Sequence, residues 1–239
     1  MGLNVGEDFL DYCRLNNLKK VKLYLRNGID MINRVSVNGF DSGLTIAAYM
    51  NYPDLLDILL SHPDIKINNT TDPANATWSR QWTALMFACW YGSPAIVSRL
   101  VQVPKLDINF QDENGNTAAH LASLSGHTEC VRMLAETGRV NWNYSLIWGG
   151  QTALYQALWG GHADIMTIIG QQQNIDYNVK TYLGYTLGHA AVLGNVKCVE
   201  TLAAFERFDT WKVPDRVGDT PIMLALKRNK KALHIIKSR

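Results

Sequence analysis

Apolar positions in this chain recur as pairs of short helical patterns separated by a Gly or Asn. The clearest copy lies between Glu113 and Leu134 and reads ENGNTAAHLASLSGHTECVRML. Gly115 opens a turn, where glycine tolerates positive φ. Thr117 then precedes a helical pattern, and its hydroxyl can accept an otherwise orphaned backbone N–H. The small Ala119 and Ala122 let neighbouring helices approach closely. The helix runs through Leu124, and Gly126 ends it. Val131, Met133 and Leu134 mark the apolar face of a second helix. One such pair cannot bury both of its faces, so stacking on further copies supplies the missing partner surface.

The Gly or Asn that separates the two helices appears at Asn16, Asn51, Gly92, Gly126, Gly161, Gly194 and Asn229. The intervals are 35, 41, 34, 35, 33 and 35 residues, which predicts seven units with one enlarged connection. The approximate spans are 5–36, 37–72, 78–111, 112–146, 147–180, 181–214 and 215–239, forming a single domain. The long interval holds NTTDPANATWSR, whose Thr, Asn, Asp and Pro make it a loop over 69–80. Between units the chain reads HPDIKIN, VPKLDIN, TGRVNWN and QQNIDYN, closing on Asn68, Asn109, Asn143 and Asn178. These are short extended arms. The predicted fold class is therefore all-α, a solenoid of stacked helix-turn-helix units with short β-hairpin loops.

Several opening and turn positions recur with changes. The first helices begin TALM, TAAH, TALY, TLGH and TPIM, and Gly-His follows only at Gly126-His127 and Gly161-His162. The repeated unit resembles the ankyrin repeat, and the resemblance covers almost the whole chain. Departures from a full T-P-L-H predict weaker hydrogen bonding at helix openings. The resemblance implies a stack whose hairpin tips and first-helix outer residues form a concave face that binds other proteins. Residues just before each separator project from the first helix: Tyr49 and Met50, Trp90 and Tyr91, Leu124 and Ser125, Trp159 and Gly160, Val192 and Leu193. Residues just before the opening Thr lie near the tips: Trp82, Asn116, Gln151 and Tyr185, with Trp148 nearby. The resulting aromatic row is expected to be an exposed binding stripe, because the alanines and second-helix apolar residues already supply the core. Varied aromatic surface positions also suit a binder engineered on a natural repeat template.

Composition narrows the remaining classes. A net charge of +2 gives no general drive toward nucleic acid. Charged residues make up only 18%, while seven Trp and ten Tyr are present. No apolar run approaches the roughly 18 residues of a membrane helix. The start MGLNVGEDFLDYC lacks the charge and apolar core of a secretory signal, and Gly6 stands where myristoylation needs Ser or Thr. A cytoplasmic location without membrane association is expected, with the N-x-S/T sequons at Asn68, Asn69, Asn75 and Asn143 unused. Cys13, Cys89, Cys130 and Cys198 recur at repeat-equivalent positions and are expected to be buried free thiols.

No metal, cofactor or catalytic constellation is readable. His120, His127 and His162 occupy structural positions of the repeat and are expected to cap helices or link repeats. Ser123 and Ser125 lie near His120, but no orienting acid or oxyanion hole stands at readable spacing. The expected function is a non-enzymatic protein-binding scaffold that uses no cofactor. The alternatives are an enzyme or small-molecule site, which would show a closed polar pocket with a perturbed ionisable group, and a single-stranded nucleic-acid binder. Self-association through the aromatic row is a further alternative.

Overall fold

The computed structural model describes residues 9–26, 32–33, 35–36, 42–70 and 81–238. Fourteen α-helices occur among them, in seven consecutive pairs. The chain divides into two compact units, Met1–Glu113 and Asn114–Arg239. The first unit holds α1 (Phe9–Arg14), α2 (Leu18–Arg26), α3 (Gly43–Tyr49), α4 (Pro53–Leu60), α5 (Ala84–Tyr91) and α6 (Pro94–Leu100). The second holds α7 (Ala118–Ser125), α8 (Thr128–Glu136), α9 (Ala153–Trp159), α10 (Ala163–Gly170), α11 (Leu187–Leu193), α12 (Val196–Ala204), α13 (Pro221–Arg228) and α14 (Lys230–Lys237).

Within each unit, first helices neighbour first helices and second helices neighbour second helices. In the second unit α7, α9, α11 and α13 form one layer, and α8, α10, α12 and α14 the other. The seam is apolar and closed. Leu55, Leu56, Ile96, Val97 and Leu100 are fully buried in the first unit, as are Val131, Leu134, Ile165, Ile169, Val199 and Leu202 in the second. Cys13, Cys89, Cys130 and Cys198 are free and buried in these seams. Unit one begins, by the sequence count, at residues outside those described; the 69–80 loop lies outside them except for its first two residues.

The helix openings keep their caps despite the varied motif. The Thr hydroxyl accepts the third helical N–H in α5, α7, α9 and α13, from Met86, His120, Tyr155 and Met223. A hydroxyl at that position is sufficient for this bond. What the varied motif loses is the reciprocal bond. His120 Nδ1 accepts from the Thr117 N–H at 3.2 Å, and His189 Nδ1 from Thr186 at 3.1 Å. Met86 and Tyr155 supply no such acceptor. Unit two opens instead with Ser42, whose N–H donates to Thr45 Oγ1 at 2.7 Å. His189 also links repeats, because its Nε2 lies 2.8 Å from the Asp219 carbonyl oxygen. The carbonyl can only accept, so Nε2 carries the proton and leaves Nδ1 free to accept from Thr186. His162 Nε2 reaches the Leu124 carbonyl at 3.2 Å in the same way.

The connections contain less β structure than the sequence predicts. Among the described residues the hairpins reduce to isolated antiparallel bridges, Val35 with Ser42, Thr70 with Thr83 and Ser145 with Thr152. Asparagine side chains do the joining that a ladder would do. Asn68 Nδ2 donates to the Lys105 carbonyl at 3.0 Å, and its Oδ1 accepts from Asp107 N at 2.8 Å. Asn143 does the same with Asn174 at 2.6 Å and Asp176 at 2.9 Å, and Asn33 with Asp64 and Lys66 at 2.8 Å each. Each of these three amides reaches the arm one repeat further on. In Asn68 and Asn143 the Nδ2 that a glycan would occupy is thus held in a hydrogen bond.

The helix separators differ in backbone conformation. Asn16, Asn51, Gly92, Gly126 and Gly161 all take positive φ. Gly194 and Asn229 do not, with φ −103° and −144°. From opening hydroxyl to separator the chain runs nine residues in units two to five and seven, but only eight from Thr186 to Gly194. Unit six is therefore one residue short.

Candidate protein-binding surface

The opening hydroxyl sets the phase of each first helix. Six residues after it, Ala48, Cys89, Ser123, Leu158 and Val192 are buried, while Leu226 in the last repeat is exposed. The next residue, about 100° further round the helix, points away from that seam. This column reads Tyr49 and Trp90 in the first unit, and Leu124, Trp159, Leu193 and Lys227 in the second. Val192 was expected to project and does not, being only 2% exposed. Counting back from Gly194 misplaces it, because that separator comes one residue early; Leu193 occupies the outward position.

In the first unit the predicted aromatics are packed against one another. Trp82 meets Phe87 edge-on at 5.4 Å between centroids and Trp90 at 5.6 Å. Tyr49 lies 6.0 Å from Phe87 and 6.4 Å from Tyr91. The Trp82 indole N–H donates to Asp112 Oδ2 at 2.9 Å, and Asp112 is buried. Phe87 is buried at the centre of this group, a role that sequence phase left unassigned. Tyr49 and Trp82 are half-buried, and Met50, Trp90 and Tyr91 form the exposed part.

In the second unit the exposed aromatics stand clear. Trp148 is 77% and Trp159 73% exposed, with Leu193 also exposed. Asn116, Leu124, Ser125, Gln151 and Tyr185 are half-buried. Tyr185 stacks on His189 with centroids 5.5 Å apart. Six exposed apolar residues of this unit were missed by the sequence reading: Ile147, Tyr182, Leu183 and Val217 at hairpin tips, and Met223 and Leu226 on α13. A glycine with positive φ stands two residues before each opening Thr in this unit, at Gly115, Gly150, Gly184 and Gly218. That spacing marks the tips and was the available signal. Backbone bonds lace the tips, from Ile147 N to Asn114 O at 2.8 Å, Tyr182 N to Gly149 O at 3.3 Å and Arg216 N to Leu183 O at 3.3 Å. The Tyr182 hydroxyl additionally donates to the Ile147 carbonyl.

The ionisable groups with shifted pKa values belong to the interior. Burial, then the neighbouring Glu129 charge, pushes the Cys130 thiol up to about 11. Burial also raises Cys198 against Lys197, Tyr155 together with Tyr185, and Tyr177 against Arg207. None of them lines the groove of about 640 Å³ formed by residues including Arg139, Trp142, Asn143, Gln172 and Gln173. Arg139 is the only ionisable side chain lining it, so it holds no acid–base pair or activated nucleophile. Among the described residues no helix is long and apolar enough to cross a membrane.

Each unit is thus two layers of stacked helix pairs, with aromatic side chains on the outer column of its first helices. The family profile described as Ankyrin repeats (3 copies) matches residues 10–112 and 85–181, and the chain belongs to the ankyrin repeat family. It is 40% identical over 82 residues to Inversin-B of Xenopus laevis, covering 34% of this chain and 7% of that protein. It is 26% identical over 207 residues to the probable E3 ubiquitin-protein ligase XBOS32 of Oryza sativa subsp. japonica, covering 82% of this chain and 37% of that protein. The chain thus spans well under half of these relatives. Its fold is similar to the crystal structure of the ankyrin repeat domain of Bcl-3, a member of the IkappaB protein family. That match has a TM-score of 0.81 at 22% identity and covers 98% of this chain and all of the other. Ankyrin repeats are generally protein–protein interaction modules.

Proposed function

We propose that this chain binds a partner protein through the hairpin tips and outer first-helix column, without carrying out chemistry of its own. The observation that carries this reading is the exposure of Trp148 and Trp159, at 77% and 73%. Neither indole is needed to close the apolar seam, and Trp is enriched among the residues that anchor interfaces. Polar Asn116 and Gln151 beside them supply the rim that surrounds such anchors. In the first unit Met50, Trp90 and Tyr91 form a second exposed patch, backed by the packed rings of Trp82 and Phe87.

The test compares proteins crosslinked to the wild-type chain with those crosslinked to a Trp148→Ala/Trp159→Ala variant, both checked by circular dichroism. A partner retained by the wild type and lost by the folded variant is expected. Equal capture by both would move the interface elsewhere. We also infer a cytoplasmic location, which the four free thiols support. Recovery of the native protein with these cysteines paired in disulfides would overturn that inference.

A further inference from the structure

Charge is distributed unevenly between the two faces of the second unit. Along its hairpins and first helices, over residues 114–126, 145–161, 179–194 and 213–229, the acidic side chains are Asp215 and Asp219 alone. Both carboxylates are occupied. Asp215 Oδ1 accepts from Val217 N at 2.8 Å and Asp219 N at 3.0 Å, and Asp219 Oδ1 accepts from Lys227 Nζ at 2.8 Å. The unit's other acids, Glu129, Glu136, Asp164, Asp176, Glu200, Glu206 and Asp209, all lie on the second helices and the returns that follow them. Lys180, Arg216 and Arg228 sit on the hairpin and first-helix side. Each is exposed, and no carboxylate stands within ion-pair distance of any of them among the described residues.

The cations extend the apolar columns. Seven residues after the opening hydroxyl the column runs Leu124, Trp159, Leu193 and then Lys227; one residue later in the last repeat comes Arg228. Two residues before the tip glycines the sequence runs Glu113, at the close of the first unit, and then Trp148, Tyr182 and Arg216 in the second. Within the second unit both columns therefore pass from apolar to basic toward the last repeat.

We propose that this face takes an acidic, apolar-anchored peptide segment of the partner protein. Its apolar side chains rest on Trp148, Trp159, Tyr182 and Leu193, and its carboxylates meet Arg216 and Arg228. This rests on the protein-binding reading above and adds the chemistry of the ligand. Opposite charges across an interface raise the association rate and fix the register, while apolar anchors hold the complex. Arg216 and Arg228 are suited to carboxylates because a guanidinium presents a planar fork of donors. A single-stranded nucleic acid is the less favoured ligand. Three unpaired cations over four repeats make a short track for a phosphate backbone, and aliphatic Leu183 and Leu193 offer no stacking surface.

The proposal is tested by selecting a phage-displayed library of random 12-residue peptides on the immobilised full chain. Enriched peptides are then measured against Trp148→Ala/Trp159→Ala and Arg216→Glu/Arg228→Glu variants of confirmed helicity. The expected result is enrichment of Asp and Glu beside Leu, Phe or Trp. Charge reversal should weaken these peptides by about tenfold or more, with affinity falling as salt rises. Enrichment of neutral or basic peptides that still require the two Trp residues would overturn the acidic assignment and leave the protein-binding reading standing. Peptides indifferent to both Trp residues, or no enrichment, would overturn both. A 12-nucleotide oligothymidylate binding more tightly than the best peptide would replace the proposal with nucleic-acid recognition.

Discussion

The indole N–H of Trp82 donates to the buried carboxylate of Asp112 at 2.9 Å, joining the start of one repeat to the arm that leaves it. This makes Trp82 part of the framework as well as of the surface. Asp112→Ala should lower unfolding free energy by about 1–3 kcal/mol, because it strands a donor that the fold has taken from water. Asp112→Asn keeps an acceptor and should cost less. Urea denaturation decides this; equal stability of all three proteins would show that the bond carries no weight.

Trp90 and Trp159 occupy the same repeat position but should behave differently. Trp90 packs on Trp82 at 5.6 Å, whereas Trp159 is 73% exposed. Trp90→Ala should therefore cost stability by about 0.5–1.5 kcal/mol from the lost ring contact, beyond its buried area. Trp159→Ala should leave the melting temperature nearly unchanged. Thermal melts followed by the helical circular dichroism signal compare them, and a larger loss for Trp159→Ala would refute the assignment.

The hairpin tips depend on close backbone approach. Gly150 sits at φ +71°, and a Cβ there would meet the Lys180 carbonyl oxygen at 2.9 Å. Gly150→Ala should destabilise the protein by about 1–3 kcal/mol, the usual cost of a left-handed non-glycine residue held in place. Amide exchange near Tyr182 should quicken at the same time. An unchanged exchange pattern would mean that the tips are not coupled.

Alkaline conditions should weaken the fold. The folded Cys130 thiol ionises near 11, whereas its unfolded reference is 9.0. The folded state therefore holds its proton after the unfolded chain has released it. The associated stability is complete below about pH 9 and is lost as pH rises through about 11. Cys130→Ala should flatten that part of the stability profile. The native thiol should also resist alkylation at neutral pH, since the thiolate is the reactive form.

Most of the framework was legible because it repeats. Thr117, Gly126, Val131 and Leu134 announce one helix pair, and the same spacing finds the others. The four cysteines read as buried from their equivalent positions, and the structure buries all of them as free thiols. The surface was harder to read because projection depends on phase within a turn. A single missing residue brought Gly194 one place early, so a count from the separator took the inward Val192 for an outward residue. Trp82 looked like a tip residue until its bond to Asp112, thirty positions away, tied it down. The tips carrying Ile147, Tyr182 and Leu183 were marked only by their glycines, whose left-handed backbone is the constant feature there.

The most direct measurement of the central claim is the affinity of a captured partner for the wild-type chain, Trp159→Ala and Arg132→Ala, by calorimetric titration. Arg132 lies on α8, in the second-helix layer, where it pairs with Glu129 at 3.3 Å. Trp159→Ala should weaken binding by at least about 2 kcal/mol, or roughly thirtyfold, with unaltered melting. Arg132→Ala should bind as the wild type does. Normal binding by Trp159→Ala together with a lowered melting temperature would contradict the account, because Trp159 would then be a packing residue and the interface would lie elsewhere.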